Sequence, residues 1–491
     1  MDIRDLHCVV IGAGIGGLSA AALLARKGMQ VTVLEAQSNP GGCAATFSSG
    51  DYRFDAGATV GCGFHPGGPM DLFGQELDIR WPVKPESVAW QYRHLDLKLD
   101  LSSSRENIIA RFPRSVPFWN EQARIARALW RLSAGGLPWP ATGIRDFARL
   151  AGKALECIPG SFSLPGLVSK TAHDWLAGHG LDSDADFVRF IDAQLLISVQ
   201  TTSRYANALN AAIALDLPVS GAWRVQGGIG RIAGLLAESV ESGGGAVLYG
   251  KKVNRIDSIQ REVLGVETTD GDALAADLLI ANLTPDSFAI LDGKPPAAAE
   301  AAIKPLQWSA FMLYLGMDAA VFDRAGIDHL QITAAKGELA EGHSIFVSAS
   351  PADDPSRAPV GQRAVTISTH TRPDLWFSTL SQGSLSFEEM KERYQREVLG
   401  LLFEQLPEAS GAVRYVSAAT PITWELRTGR HHGYVGGYAQ TSLFGVRGPS
   451  TAYSNLFLAG DSIFPGQSLP GVVTGARRAV ELVLRRYGKN R

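Results

Sequence analysis

Near its start the chain places Gly12-Ala13-Gly14-Ile15-Gly16-Gly17 between the apolar run Cys8-Val9-Val10-Ile11 and an Ala/Leu-rich stretch from Leu18 to Lys27. A short β-branched run of this kind reads as a buried parallel strand. The stretch after the turn reads as a helix with a basic end, stopped by Gly28. Val31-Thr32-Val33-Leu34 then reads as a second strand that ends in Glu35. Strand, tight turn, helix and strand make a βαβ unit, which commits the chain to an α/β fold on a parallel sheet.

The glycine spacing adds chemistry to that unit. Gly12 permits the tight turn, Gly14 lets a pyrophosphate approach the backbone, and Gly17 allows close packing of helix on strand. The helix start offers N–H groups and a partial positive charge to phosphates. Glu35 follows Gly12 by 23 positions, near the roughly 20 expected of an acid that binds a ribose diol and disfavours a 2′-phosphate. The unit therefore reads as a dinucleotide site, with NAD and FAD both open at this point.

The same glycines dispose of a membrane reading. Leu6 to Ala25 has no formal charge over 20 residues, near the length that spans a bilayer. Four glycines interrupt it, and Met1–Asp5 carries two acids and one Arg rather than a basic leader. Neither a span nor a targeting peptide is read. The net charge of −3 gives no footprint for nucleic acid. Cys8, Cys43, Cys62 and Cys157 form no CxxC pair and are too sparse for a disulfide scaffold, so a reduced, cytoplasmic chain is expected. A hydrophobic content of 45% excludes disorder, and 491 residues suggest two or three packed units.

Asn39-Pro40-Gly41-Gly42-Cys43-Ala44 and Tyr52-Arg53-Phe54-Asp55-Ala56-Gly57 come next. A glycine fingerprint, Glu-Ala, Gly-Gly and Phe-Asp-x-Gly together resemble the FAD-dependent amine oxidase and phytoene desaturase superfamily. The resemblance implies that the loop of Gly41 and Gly42 wraps the FAD pyrophosphate and ribityl chain. That superfamily usually places Arg directly after Gly-Gly, where this chain has Cys43. In this the chain is similar to the carotenoid isomerase and retinol saturase branch, which also lacks the Arg. Cys43 is expected as a small buried residue beside the cofactor rather than a redox thiol.

The resemblance continues to the far end. Trp223 to Gly230 introduces a helix from about Arg231 to Glu241, and strands follow at Ala246–Tyr249, Val263–Glu267 and Asp277–Asn282. It implies that the backbone of Val253 meets the adenine. Asn455 to Ala459 runs as a strand into Gly460-Asp461, the superfamily's second FAD motif, where Asp461 would bind the ribityl and pyrophosphate region. Phe464 to Ala476 opens the last helix, whose start at Gly471 and Val472 would face the flavin pyrimidine edge and stabilise negative charge there. Pro465-Gly466-Gln467 after Gly-Asp-Ser is similar to the carotenoid isomerases.

These motifs imply a Rossmann-like FAD-binding domain of the glutathione reductase/amine oxidase type from residues 1–75, 215–290 and 415–491. A discontinuous α+β substrate domain would take 76–214 as a helical cap and 291–414 as a mixed sheet. Alternation in Phe311–Leu315 and Ala364–Ile367 supports the sheet. Pro138-Trp139-Pro140 and the stretch from Phe147 to Pro165, with Arg145, Arg149 and Lys153, read either as a membrane-surface element or, more plainly, as a helical cap with a solvated basic face.

No HExxH, GxSxG or metal-ligand cluster occurs, so no metal is expected and no catalytic side chain is assigned. His431-His432 is the nearest candidate, with a packing or solvated role the plainer reading. Such an absence fits flavin chemistry, in which the cofactor performs the difficult step. The expected enzyme is an FAD-dependent oxidoreductase or isomerase acting on a hydrophobic polyene such as a carotenoid, by desaturation, retinol saturase-like reduction or cis–trans isomerisation. An amine oxidase acting on a smaller substrate is the alternative; it would need an aromatic cage and typically a Lys at the flavin. A prenyl-binding protein without cofactor, like the Rab GDP-dissociation inhibitors, is disfavoured by Glu35 and Gly460-Asp461.

Overall fold

The computed structural model describes residues 2–134, 138–157, 164–296 and 308–488. The opening unit forms as read: strand β1 (His7–Ile11), helix α1 (Ile15–Arg26) and strand β2 (Gln30–Leu34). β1 is the centre of a five-stranded parallel sheet. Its order is Ala246–Leu248, β2, β1, Leu278–Ala281, Leu456–Leu458. β1 and Leu278–Ala281 are almost wholly apolar because both faces are covered, one by helices and the other by the strands Val253–Ile259 and Glu262–Thr268.

α1 begins at Ile15, three residues before the expected start. Glycine is a poor helix former, yet this first turn is buried without a break from Ile15 to Ala25. Tertiary packing outweighs local propensity here, since α1 lies against both Gly230–Ser242 and the closing helix Leu469–Tyr487. The need for close approach is greatest at Gly17, where a Cβ would lie 2.3 Å from the Gly12 carbonyl oxygen.

A seven-stranded mixed sheet forms the second layer. Its order is Val413–Ala419, Ser309–Asp318, Gln362–Thr371, Ser344–Ala349, His329–Thr333, Trp90–His94, Leu97–Leu101. All neighbours are antiparallel except His329–Thr333 with Trp90–His94. Strand alternation sorts the two faces. Phe311, Leu313 and Leu315 pack with Trp376, Tyr394 and Val398 of the helices Pro373–Gln382 and Ser384–Gln405. Met312 and Tyr314 turn the other way, toward Tyr52, Phe54 and Trp424.

Two departures from the sequence reading concern this layer. The stretch 76–214 is not only a helical cap, because Trp90–His94 and Leu97–Leu101 complete the sheet edge. Its mixture of Trp, Arg and His hides a period of two that becomes visible only when Trp90, Tyr92 and Leu99 pack on Phe187 and Phe190. The strand Val413–Ala419 also runs across the expected boundary at 414/415. On the partition of strands between the two sheets we propose that 1–75, 215–290 and the chain after Ala419 bind the cofactor and 76–214 and 291–419 the substrate.

Pro138–Pro140 precedes the helix Ile144–Cys157, and the Phe147–Pro165 stretch falls partly within it; residues 158–163 lie outside the described residues. That helix is anchored at its start by Asp146, which is 1% exposed and paired with Arg478 and Arg485 of the closing helix. Among the described residues no helix is long and apolar enough to cross a membrane.

Candidate functional site

At the carboxyl end of β1 the chain runs to β2 on one side and pairs with Leu278–Ala281 on the other. Ligands of open α/β sheets bind at such a reversal. A cavity of about 940 Å³ opens there and continues to the seven-stranded sheet. Of the twelve residues singled out from sequence, ten line it: Gly12, Gly14, Glu35, Gly41, Gly42, Cys43, Val253, Gly460, Asp461 and Val472.

Gly17 and Gly471 do not. Gly17 acts only by letting α1 sit on the turn. The Gly471 N–H donates to Ser468 Oγ, the side chain that caps the closing helix. The Val472 N–H likewise donates to the Ser468 carbonyl.

The turn itself is built for a bulky anion. No side chain caps α1, and its first turn carries no acid. Its positive end therefore opens into the cavity through Ile15 and Gly16. Gly12 sits at φ +91°, which a side chain rarely adopts. Asn282, which the sequence reading took only as a strand end, is wedged between the two ends of the chain. A Cβ on Gly14 would lie 2.5 Å from its Nδ2, and one on Gly460 would lie 2.8 Å from its Oδ1. A Cβ on Gly16 would meet the Gly460 nitrogen at 2.6 Å. The opening turn and the closing Gly-Asp segment are thus in contact.

Glu35 is buried, with Oε2 accepting from the Ala13 N–H at 2.7 Å and Oε1 from the Gln37 N–H at 2.8 Å. Burial raises its pKa against hydrogen bonds from the Gln37, Ala13 and Ala36 N–H groups. A carboxylate offers about four acceptor sites, so the group holds the turn and can still take a sugar hydroxyl. This is the chemistry a ribose requires, and the uncapped helix end is what a pyrophosphate requires. The cavity fits a dinucleotide.

At the other end Arg430, also absent from the sequence reading, faces Asp461 through Nη2, 3.0 Å from Oδ1 and 2.9 Å from Oδ2. Burial opposes its charge, but the Asp461 carboxylate raises its pKa overall. Burial pushes the Cys43 thiol up as well, so Cys43 is a neutral wall residue and not a thiolate.

The far end of the cavity is walled by Trp90, Ala310, Met312 and Phe346. The only lysines on the described wall, Lys251 and Lys252, stand with Val253 at the opposite end, and Lys251 is held by Asp270 and Asp272. His431 borders the cavity but stacks on His432 at 4.2 Å, and His432 stacks on Phe377 at 4.8 Å. Burial, then the neighbouring His431, lowers the pKa of His432. This is a packed pair. Among the described residues no group of three or more His, Cys, Asp or Glu could hold a metal.

Comparison with known proteins agrees with this geometry. A family model described as flavin containing amine oxidoreductase matches residues 15–484. The chloroplastic prolycopene isomerase 2 of an Oncidium hybrid cultivar is 29% identical over 98% of this chain and 85% of the relative. A phytoene dehydrogenase of Streptomyces griseus is 27% identical over 97% and 95%. Among solved structures, the cyclohexylamine oxidase of Brevibacterium oxydans superposes with a TM-score of 0.62, at 16% identity over 98% of this chain and 99% of that one.

Proposed function

The chain belongs to the flavin-containing amine oxidoreductase family, and on that premise we propose that this FAD-dependent oxidoreductase acts on a hydrophobic polyene of the carotenoid type. The observation that carries the reading is one continuous cavity from the Gly12–Glu35 turn to a sheet wall of Ala310, Met312 and Phe346 beside Ser368, Thr369 and His370. Flavin supplies two-electron chemistry at a carbon centre, and the protein has to position it and keep water away.

The α1 start with Gly12 and Gly14 would hold the pyrophosphate, with Gly41 and Gly42 beside it. Glu35 would accept from the ribose hydroxyls, and the Val253 backbone would meet the adenine. Asp461, with Arg430 behind it, would hold the ribityl region, and Val472 on the first turn of the closing helix would border the flavin. Trp90, Met312 and Phe346 then supply apolar surface for the substrate. A polyene offers no charged handle, so shape and dispersion set its position.

The relatives named above act, by their names, on prolycopene and phytoene, which supports the same substrate class. Amine oxidation gains less support, since no lysine stands at the sheet end of the described wall. For delivery of such a substrate, we propose peripheral contact with a membrane by a chain that otherwise resides in the cytoplasm. Ile144 and Phe147 are 88% and 60% exposed beside Arg145, and Phe444, packed edge-on to Trp139 at 6.2 Å, is 69% exposed. Exposed apolar residues with neighbouring cations suit a lipid surface.

The test is anaerobic incubation of FAD-loaded protein with poly-cis and all-trans carotenoids, with the flavin either oxidised or reduced. Conversion with oxidised flavin and matching flavin reduction selects desaturation, and flavin reoxidation matching product selects saturation. Conversion with reduced flavin and no net redox change selects isomerisation. Activity on amines alone would overturn the proposal.

A further inference from the structure

At the sheet end of the cavity lies a chain of three polar side chains that the cofactor site does not use. His329 and Ser348 stand opposite each other on the strands His329–Thr333 and Ser344–Ala349. His329 Nδ1 is 3.0 Å from Ser348 Oγ, and Ser348 Oγ donates to Thr59 Oγ1 at 2.8 Å. Because the single Ser348 hydroxyl proton is committed to Thr59, Ser348 accepts from His329. The ring therefore carries its proton on Nδ1 and leaves Nε2 as an acceptor. His329 and Ser348 are buried, while Thr59 is half-buried and lines the main cavity. The Thr59 hydroxyl proton goes to no described residue, so the chain has one polarity, from His329 toward Thr59.

The chain joins two cavities. His329, Ser348 and Thr59 all border a second one of about 20 Å³, enough for one water. Its other walls are charged, with Asp55, Glu86, Arg224, Asp328 and Arg357 among them. Arg224 stands 3.6 Å from Glu86, 3.9 Å from Asp328 and 4.0 Å from Asp353, separations that water can bridge. The Asp353 side chain is 45% exposed, so this ionic pocket leads to solvent. On the opposite side Phe346, which walls the main cavity, stacks on His329 with ring centroids 6.4 Å apart. The imidazole thus lies one layer behind that wall. Burial lowers its pKa to about 4, against Asp328 and Asp55 and together with Arg363 and Arg224, so Nε2 is bare at neutral pH.

Two-electron reduction of a flavin consumes a proton and reoxidation returns it, whichever substrate reacts. A cavity filled by a hydrocarbon holds no water to carry that proton. We propose that His329, Ser348 and Thr59 form a proton path between the ionic pocket and the main cavity. Inward, a proton from the pocket binds Nε2 and the Nδ1 proton passes to Ser348 Oγ. The Ser348 proton then passes to Thr59 Oγ1, and the Thr59 proton enters the cavity, so each group loses one proton as it gains one. The reverse order carries a proton out. The path rests on the flavin reading above and adds the route of its proton; the polyene reading enters only as the reason that the cavity is dry.

The experiment follows proton uptake rather than turnover. The full FAD-loaded chain is reduced anaerobically with reduced methyl viologen, which gives electrons but no protons, in weakly buffered solution with a pH-indicator dye. Dye and flavin absorbance are recorded together by stopped flow, with and without an all-trans carotenoid hydrocarbon in detergent micelles. Carotenoid binding is read separately from quenching of tryptophan fluorescence. With carotenoid bound, the native chain should take up its proton as fast as its flavin is reduced. Thr59→Val and Ser348→Ala should delay uptake about tenfold or more, since a positioned proton carrier contributes roughly 10²–10⁴-fold and stray water recovers part of it. Thr59→Ser should restore the native rate. Equal uptake by the native chain and both variants overturns the path and, where carotenoid binds, leaves the polyene reading standing. A delay without carotenoid binding keeps the path and overturns the polyene reading. A delay that Thr59→Ser does not repair gives these groups a structural role and overturns the path. The native chain supplies a check of its own even if a variant fails to fold: nitrogen-15 histidine spectra should show the His329 proton on Nδ1, and a proton on Nε2 would close the entry and overturn the path.

Discussion

Asp461 presents both carboxylate oxygens to Arg430 Nη2, at 3.0 and 2.9 Å, on the wall of the same cavity that Gly12 opens. The pair joins the loop after Gly429 to the strand Leu456–Leu458, and the Arg430 side chain also donates to the Tyr434 carbonyl, at 3.3 Å. Leaving one buried charge without its partner costs about 3–5 kcal/mol, while neutralising both costs less. Asp461→Asn should therefore lower the temperature of flavin release more than the double variant Asp461→Asn/Arg430→Gln. A thermal melt followed by flavin fluorescence checks the order.

Glu35→Ala removes the acceptor for the Ala13 and Gln37 N–H groups and, with it, the proposed contact to the ribose. A hydrogen bond involving a charged group contributes about 1.5–3 kcal/mol, or roughly 10–150-fold in affinity. Equilibrium dialysis of FAD against the variant should show a loss in that range. An unchanged affinity would remove Glu35 from the cofactor site.

The two ends of this site were legible in the sequence for a local reason. Gly12 to Glu35 is one βαβ unit, and Gly460-Asp461 follows a strand directly, so each motif carries its own context. Asn282 and Arg430 were not legible, because their partners Gly12 and Asp461 are 270 and 31 positions away and nothing periodic marks them. The sheet pattern in Phe311–Leu315 was readable because each face is chemically uniform. Trp90–His94 was not, since Arg93 and His94 are buried there through hydrogen bonds to Gln91, the Gln405 carbonyl and Thr333.

Asp146 provides a pH-dependent fastening. Burial pushes its pKa up, but the Thr142 N–H and the guanidinium groups of Arg485 and Arg478 outweigh this and hold it well below the usual carboxylate range. A depressed carboxylate gives stability that is fully present above its unfolded pKa of about 3.9 and is lost as pH falls toward the folded value. Asp146→Asn should be less stable than the native chain at pH 7. The gap should narrow as pH falls below about 4, as urea unfolding at a series of pH values will show.

The double variant Ile144→Asp/Phe147→Asp alters only exposed side chains, so flavin content should be unchanged. Sedimentation with anionic phosphatidylglycerol vesicles should fall sharply, because apolar contact and neighbouring cations act together. Equal sedimentation of variant and native chain would remove this face from membrane contact.

The most direct measurement is a crystal structure of the chain grown with FAD. Density should show one extended dinucleotide, with its pyrophosphate at the start of the helix Ile15–Arg26, a ribose on Glu35, and its flavin ring between Val472 and the sheet wall of Met312 and Phe346. A nucleotide bound elsewhere, or Glu35 facing no sugar, would contradict the account.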